Sequence, residues 1–116
     1  MTHLKRFDVG PRMSQAVVHG ETVYLAGQCG KPFASIDEQT QGALAKISQH
    51  LNTVGSDKTR LLTVTIWLSS IADYDAVNRI WDAWIPPGTA PARSCGEVQI
   101  AGDGYDIEII CTAALP

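Results

Sequence analysis

The sequence predicts one α/β domain of the α+β kind, in the order β-β-α-β-α-β-β, with a mixed sheet and two helices on one face. Three observations predict it. Two segments repeat apolar residues at helical spacing, each with one apolar stripe and one wet face. Five short runs rich in β-branched and aromatic residues surround them. Finally, 116 residues at 45% hydrophobic and 18% charged suit a single core spanning 1–116, with no repeat, low-complexity tract or internal linker.

Residues 14–19 and 22–27 are β-rich runs meeting at Gly20-Glu21, which reads as a hairpin. Pro32 begins a loop that reaches Ala34. Ser35 with Glu38 three positions on fits a capping box, each side chain satisfying an orphan amide of the first turn. Thr40, Leu44, Ile47, Leu51 and Val54 then form the stripe of the first helix, and Gly55 ends it in a left-handed conformation. Leu62, Val64, Ile66 and Leu68 alternate with Thr63, Thr65 and Trp67, a strand apolar enough on both faces to lie inside a sheet. Asp73 caps the second helix, in which Val77, Ile80, Trp81 and Trp84 fall at i, i+3, i+4 and i+7. Pro86-Pro87-Gly88 stops it. Residues 92–100 and 105–114 are the last two strands, read as a hairpin around Gly102-Asp103-Gly104.

Composition excludes several functions. Nine Lys and Arg against twelve Asp and Glu give a net charge of −3, and no basic cluster exceeds Lys5-Arg6, so no nucleic-acid partner is expected. No apolar run approaches the ~20 residues that cross a bilayer, so no membrane partner is expected either. The first residues lack the apolar core of a signal peptide. Cys29, Cys95 and Cys111 are too few and too far apart for a disulfide framework, which suits a cytoplasmic location. His3, His19 and His50 sit at no metal-ligand spacing, so no metal is expected. GxGxxG, Walker, HExxH and GxSxG motifs are absent.

The chemistry must therefore come from misplaced polar residues in the last two strands. Paired as a hairpin, they put Arg93, Cys95 and Glu97 on the same face as Glu108, turned away from the helices. That uncovered face also holds Ile110, a mixture normally buried against a partner, and a homo-oligomer supplies one economically. Arg93 and Glu108 would then need each other, as an interface salt bridge, or a ligand. In the shorter register roughly 13 Å of backbone separates them, so one chain alone does not grip one small group with both. Across a subunit boundary, or with a bulge in the strand, they could meet.

Several segments carry a resemblance. They are Gly10-Pro11, Ser14-Gln15-Ala16-Val17, Val23-Tyr24-Leu25-Ala26-Gly27-Gln28, Asp73-Tyr74-Asp75-Ala76-Val77-Asn78, Pro91-Ala92-Arg93-Ser94-Cys95 and Ile107-Glu108-Ile109. On these the chain resembles the Rid (reactive intermediate deaminase, YjgF/RidA-like) family over nearly its whole length. The resemblance implies a chorismate-mutase-like fold and a homotrimer whose sheets line a central barrel, with ligand clefts at the subunit interfaces. It implies hydrolysis of 2-imino and enamino acids, such as 2-iminobutanoate and 2-iminopropanoate, to 2-keto acids and ammonia. No cofactor is required. Arg93 would hold the substrate carboxylate, with the backbone amide of Cys95 as a second contact. Glu108 would position water and relay its proton. Gly27 and Gln28 would complete the substrate-binding residues, Gly27 by permitting close approach.

Two positions depart from the family's deaminating members. Met13 stands where a tyrosine is frequent, and Ala26 where a serine is. They motivate an alternative, a non-catalytic trimeric binder of small carboxylates. An endoribonuclease or translation inhibitor is the least favoured reading, given the acidic balance. Of the remaining residues, Cys29 reads as strand-end packing, Cys111 as core, Trp81 and Trp84 as helix-to-sheet packing, and Glu97 as a bystander.

Overall fold

Strand β6 alternates buried and half-buried residues along its whole length, and the sheet is built around it. The computed structural model describes residues 3–116; Met1 and Thr2, part of the N-terminal stretch read for targeting, lie outside them. The elements are β1 (Leu4–Val9), β2 (Ser14–His19), β3 (Thr22–Leu25), α1 (Ile36–Thr53), β4 (Leu61–Leu68), α2 (Tyr74–Trp84), β5 (Ala92–Glu97) and β6 (Ile107–Ala114). They form one mixed sheet in the order β1-β2-β3-β6-β4-β5, in which only β4 and β5 run parallel.

Both helices cover one face. From α1 come Ala43, Leu44, Ile47 and Leu51, and from α2 Val77 and Trp81. These join Val23, Val64, Ile66, Leu68, Ile107, Ile109 and Cys111 in a single core. The other face carries Tyr24, Thr112, Ile110, Thr65, Trp67 and Glu108, all at least partly exposed. Helix α1 starts as its capping box requires, with Ser35 Oγ accepting the Glu38 N–H at 3.1 Å, and Gly55 follows its end at φ 86°. Buried Gln39 ties that start to the segment before β6. Its Nε2 donates to the carbonyls of Ala34 and Gly104 at 3.0 Å, while its Oε1 accepts the Asp106 N–H at 2.9 Å.

Four expectations need correction. First, a strand precedes the expected order: Leu4–Val9 pairs antiparallel with β2 at the sheet's edge. Its residues are exposed except Phe7, so its apolar pattern is too faint to read. Second, β5 and β6 do not form a hairpin, because β4 lies between them. Strand β5 stops at Glu97, and residues 98–106 carry the chain across β4 instead of turning tightly. Third, this intervening strand inverts the parity. Arg93, Cys95 and Glu97 align with Val64, Ile66 and Leu68 on the helix side, whereas Glu108 aligns with Trp67 on the open side. The expected shared face for Arg93, Cys95 and Glu108 does not exist. In addition, Asp73 makes no capping bond. The chain reaches α2 through a 3-10 turn at Ile71–Asp73, where Ser70 Oγ accepts the Ala72 N–H.

Candidate functional site

Gly27, Gln28 and Cys29 continue from β3 alongside β6. The Gln28 N–H donates to the Ile109 carbonyl at 2.8 Å, and the Ile109 N–H returns to Gln28 at 2.9 Å. This bridge sets Gly27 beside Glu108. A Cβ on Gly27 would lie 2.0 Å from Glu108 Oε2, so the carboxylate occupies the space that glycine leaves empty. The Gln28 side chain turns inward, 4% exposed, and donates to Gln15 Oε1 at 2.9 Å and the Ala26 carbonyl at 3.0 Å. Only the Gln28 backbone borders this half of the site. Burial pushes the Cys29 thiol up, the Glu108 charge adds to that, and Lys46 opposes both. Cys29 is therefore a protonated neighbour of the carboxylate rather than a thiolate nucleophile.

Arg93 and Cys95 make the other half. Arg93 Nη2 donates to Asn78 Oδ1 at 2.7 Å, and the guanidinium carbon lies 5.3 Å from the centre of the Trp81 ring. Both partners belong to α2 and neither carries a charge. Among the described residues the one ion pair joins His50 to Asp8 at 3.9 Å. No carboxylate among the described residues thus neutralises Arg93.

The ladder fixes where Cys95 points. The Val98 N–H donates to the Leu68 carbonyl. Strand amides alternate in direction, so Gly96 and Ser94 also face β4, while the amides of Arg93, Cys95 and Glu97 face the free edge. Burial pushes the Cys95 thiol up against the opposing pull of Arg93. Its backbone N–H, not its sulfur, is the group on offer. Glu97 sits apart from this, its Oε1 accepting the Ile71 N–H at 2.9 Å.

The two halves do not meet within one chain. Arg93 and Glu108 lie on opposite faces, two strand spacings and three residues apart, about 14 Å by sheet dimensions. A cleft of about 480 Å³ beside Ser69, Glu97, Gln99, Asp103 and Tyr105 is lined by none of Gly27, Gln28, Arg93, Cys95 and Glu108. The partners that sequence reasoning missed are Asn78 and Trp81 for Arg93, and Gln15 for Gln28. Asn78 and Gln15 stand in the segments that carried the family resemblance, which was their only signal.

The family described as Endoribonuclease L-PSP matches residues 4–115. A RutC family protein of Haemophilus ducreyi is 35% identical over 113 residues, which are 97% of this chain and 97% of that one. A Capra hircus protein named 2-iminobutanoate/2-iminopropanoate deaminase is 32% identical over 108 residues, 87% of this chain and 77% of its own. The crystal structure of a YjgF family member from Neisseria meningitidis matches with a TM-score of 0.95 at 35% identity, covering 98% of this chain and 96% of that one.

Proposed function

We propose, from the premise that this chain belongs to the endoribonuclease L-PSP family, also called YjgF or Rid, that it hydrolyses short 2-imino and enamino acids to 2-keto acids and ammonia. The observation that carries this reading is the Arg93 guanidinium, held by a neutral amide and facing no carboxylate of its own fold. A guanidinium fork matches two carboxylate oxygens and keeps its charge at any physiological pH. The goat relative's name adds the substrate class. The names of the RutC relatives leave it open.

In this reading the site forms in a homotrimer, where the β5 edge of one copy meets the open face of the next. Arg93 and the Cys95 N–H take the substrate carboxylate. Glu108, beside Gly27 and the Gln28 backbone of the adjoining copy, removes a proton from water as the oxygen bonds to the imine carbon. The C=N electron pair moves to nitrogen, which accepts that proton from Glu108 to give the neutral carbinolamine. Glu108 then takes the hydroxyl proton as the C=O bond forms and passes it to the departing nitrogen as the C–N bond breaks, so ammonia leaves and Glu108 returns to its starting state. An iminium carbon is already electrophilic, so orientation and one proton relay suffice without a cofactor. The single domain of 1–116 and its three free thiols fit the reducing cytoplasm.

The test generates 2-iminobutanoate in situ and follows keto-acid release. Wild type should accelerate release, Arg93→Ala should abolish the acceleration, and Glu108→Gln should lower kcat by about 10²-fold or more. No acceleration by wild type rejects the deaminase. The second reading, a carboxylate binder without turnover, draws on Ala26 and the exposed Met13, which offer no hydroxyl to the site. It predicts carboxylate binding that needs Arg93 and tolerates Glu108→Gln. Nucleic-acid cleavage is not carried over from the family's description, because the net charge is −3.

A further inference from the structure

We infer that Asn78 is a positioning residue for carboxylate recognition, aiming the Arg93 guanidinium at the β5 edge while leaving its charge uncancelled. This rests on the reading of Arg93 as the carboxylate holder and deepens it. Asn78 is half-buried on α2, next to buried Val77 and one turn before buried Trp81. Residues at i and i+3 share a helix face, so the amide and the indole address Arg93 together.

Their chemistry is matched. An aromatic face and an amide oxygen each attract a cation without carrying a net charge. A carboxylate in the place of the amide would attract the guanidinium more strongly, but it would compete for the N–H groups that a ligand needs. Asn78 uses one of the five guanidinium N–H groups, which leaves a two-pronged fork available. The bond also restrains a side chain that otherwise has many rotamers, so less freedom is lost when a ligand binds.

The test compares Asn78→Asp and Asn78→Leu with wild type, using calorimetric binding of 2-oxobutanoate and thermal melting. If Asn78 merely fastened α2 to β5, Asp would serve as well as Asn, since it keeps a bond to Arg93, and Leu would be the poorer binder. The positioning role predicts the reverse order. Asn78→Leu should weaken binding about tenfold through loss of one charged hydrogen bond, and Asn78→Asp should weaken it further while melting no lower than Leu. An Asp variant that binds as tightly as wild type overturns the inference while leaving Arg93 its role. A wild type that binds no carboxylate overturns both. Should Asn78→Asp fail to fold, Asn78→Leu decides through kinetics: a KM raised about tenfold with kcat within about twofold supports positioning, and an unchanged KM overturns it.

Discussion

A methyl group at residue 27 would stand 2.0 Å from Glu108 Oε2 and 2.8 Å from its carboxyl carbon, so the smallest substitution displaces the proposed base. Gly27→Ala should therefore reduce kcat by about 10²-fold with little change in carboxylate affinity, because a misplaced acid–base group loses its contribution while Arg93 is untouched. Steady-state kinetics beside calorimetry check this. Cys111 gives a different residue-scale expectation. Burial pushes its thiol from 9.0 up to about 12. The unfolded chain releases that proton first, so the stability due to the buried neutral thiol is present below pH 9 and is lost as pH rises toward about 12. Unfolding free energy should fall by roughly 1.4 kcal/mol per pH unit in that window from this group alone. Denaturant titrations of wild type and Cys111→Val, compared at pH 8 and above pH 9, measure the difference.

Elements are held together here by a few buried polar contacts as well as by the apolar core. Gln39→Leu would leave the Asp106 N–H without its partner and the Gly104 carbonyl with the Phe33 N–H alone, and would unfasten α1 from the segment leading into β6. A cost of about 2–4 kcal/mol is expected, read as a melting temperature lower by roughly 10 °C. Such cross-element bonds have no local signature, which is why Gln39 gives no warning of its role in the sequence, and Asn78 and Gln15 none beyond the family resemblance. The helices and β4 were legible because periodicity and caps are local, as Ser35 and Gly55 show. Strand β1 was not, since only Phe7 reaches the core. The last two strands failed for a different reason. A Gly-Asp-Gly sequence marks a change of direction equally well in a hairpin and in a longer link, and inserting β4 reverses which residues share a face. Arg93, Cys95 and Glu108 do lie in strands, yet their mutual placement depends on a pairing that sequence does not specify.

At the scale of the whole molecule, the opposition of Arg93 and Glu108 makes a prediction that neither residue makes alone. If each site takes Arg93 from one copy and Glu108 from the next, Arg93→Ala and Glu108→Gln chains should complement each other. Equal amounts, unfolded together and refolded, should recover about a quarter of the wild-type rate, because each site then draws its two groups independently. Native mass spectrometry of the mixture should show assemblies of three chains of 12.5 kDa. No recovery in mixed trimers would place both groups of a site on one chain. The flat shape, 46 × 37 × 20 Å with one sheet face uncovered by helices, leaves a single chain with the proposed carboxylate hook on its rim and the proposed proton carrier on its broad side, facing different ways. Turnover per milligram then depends on dilution: below the concentration at which copies associate, specific activity should fade with nothing inhibited, and a higher dose of the same protein should restore it.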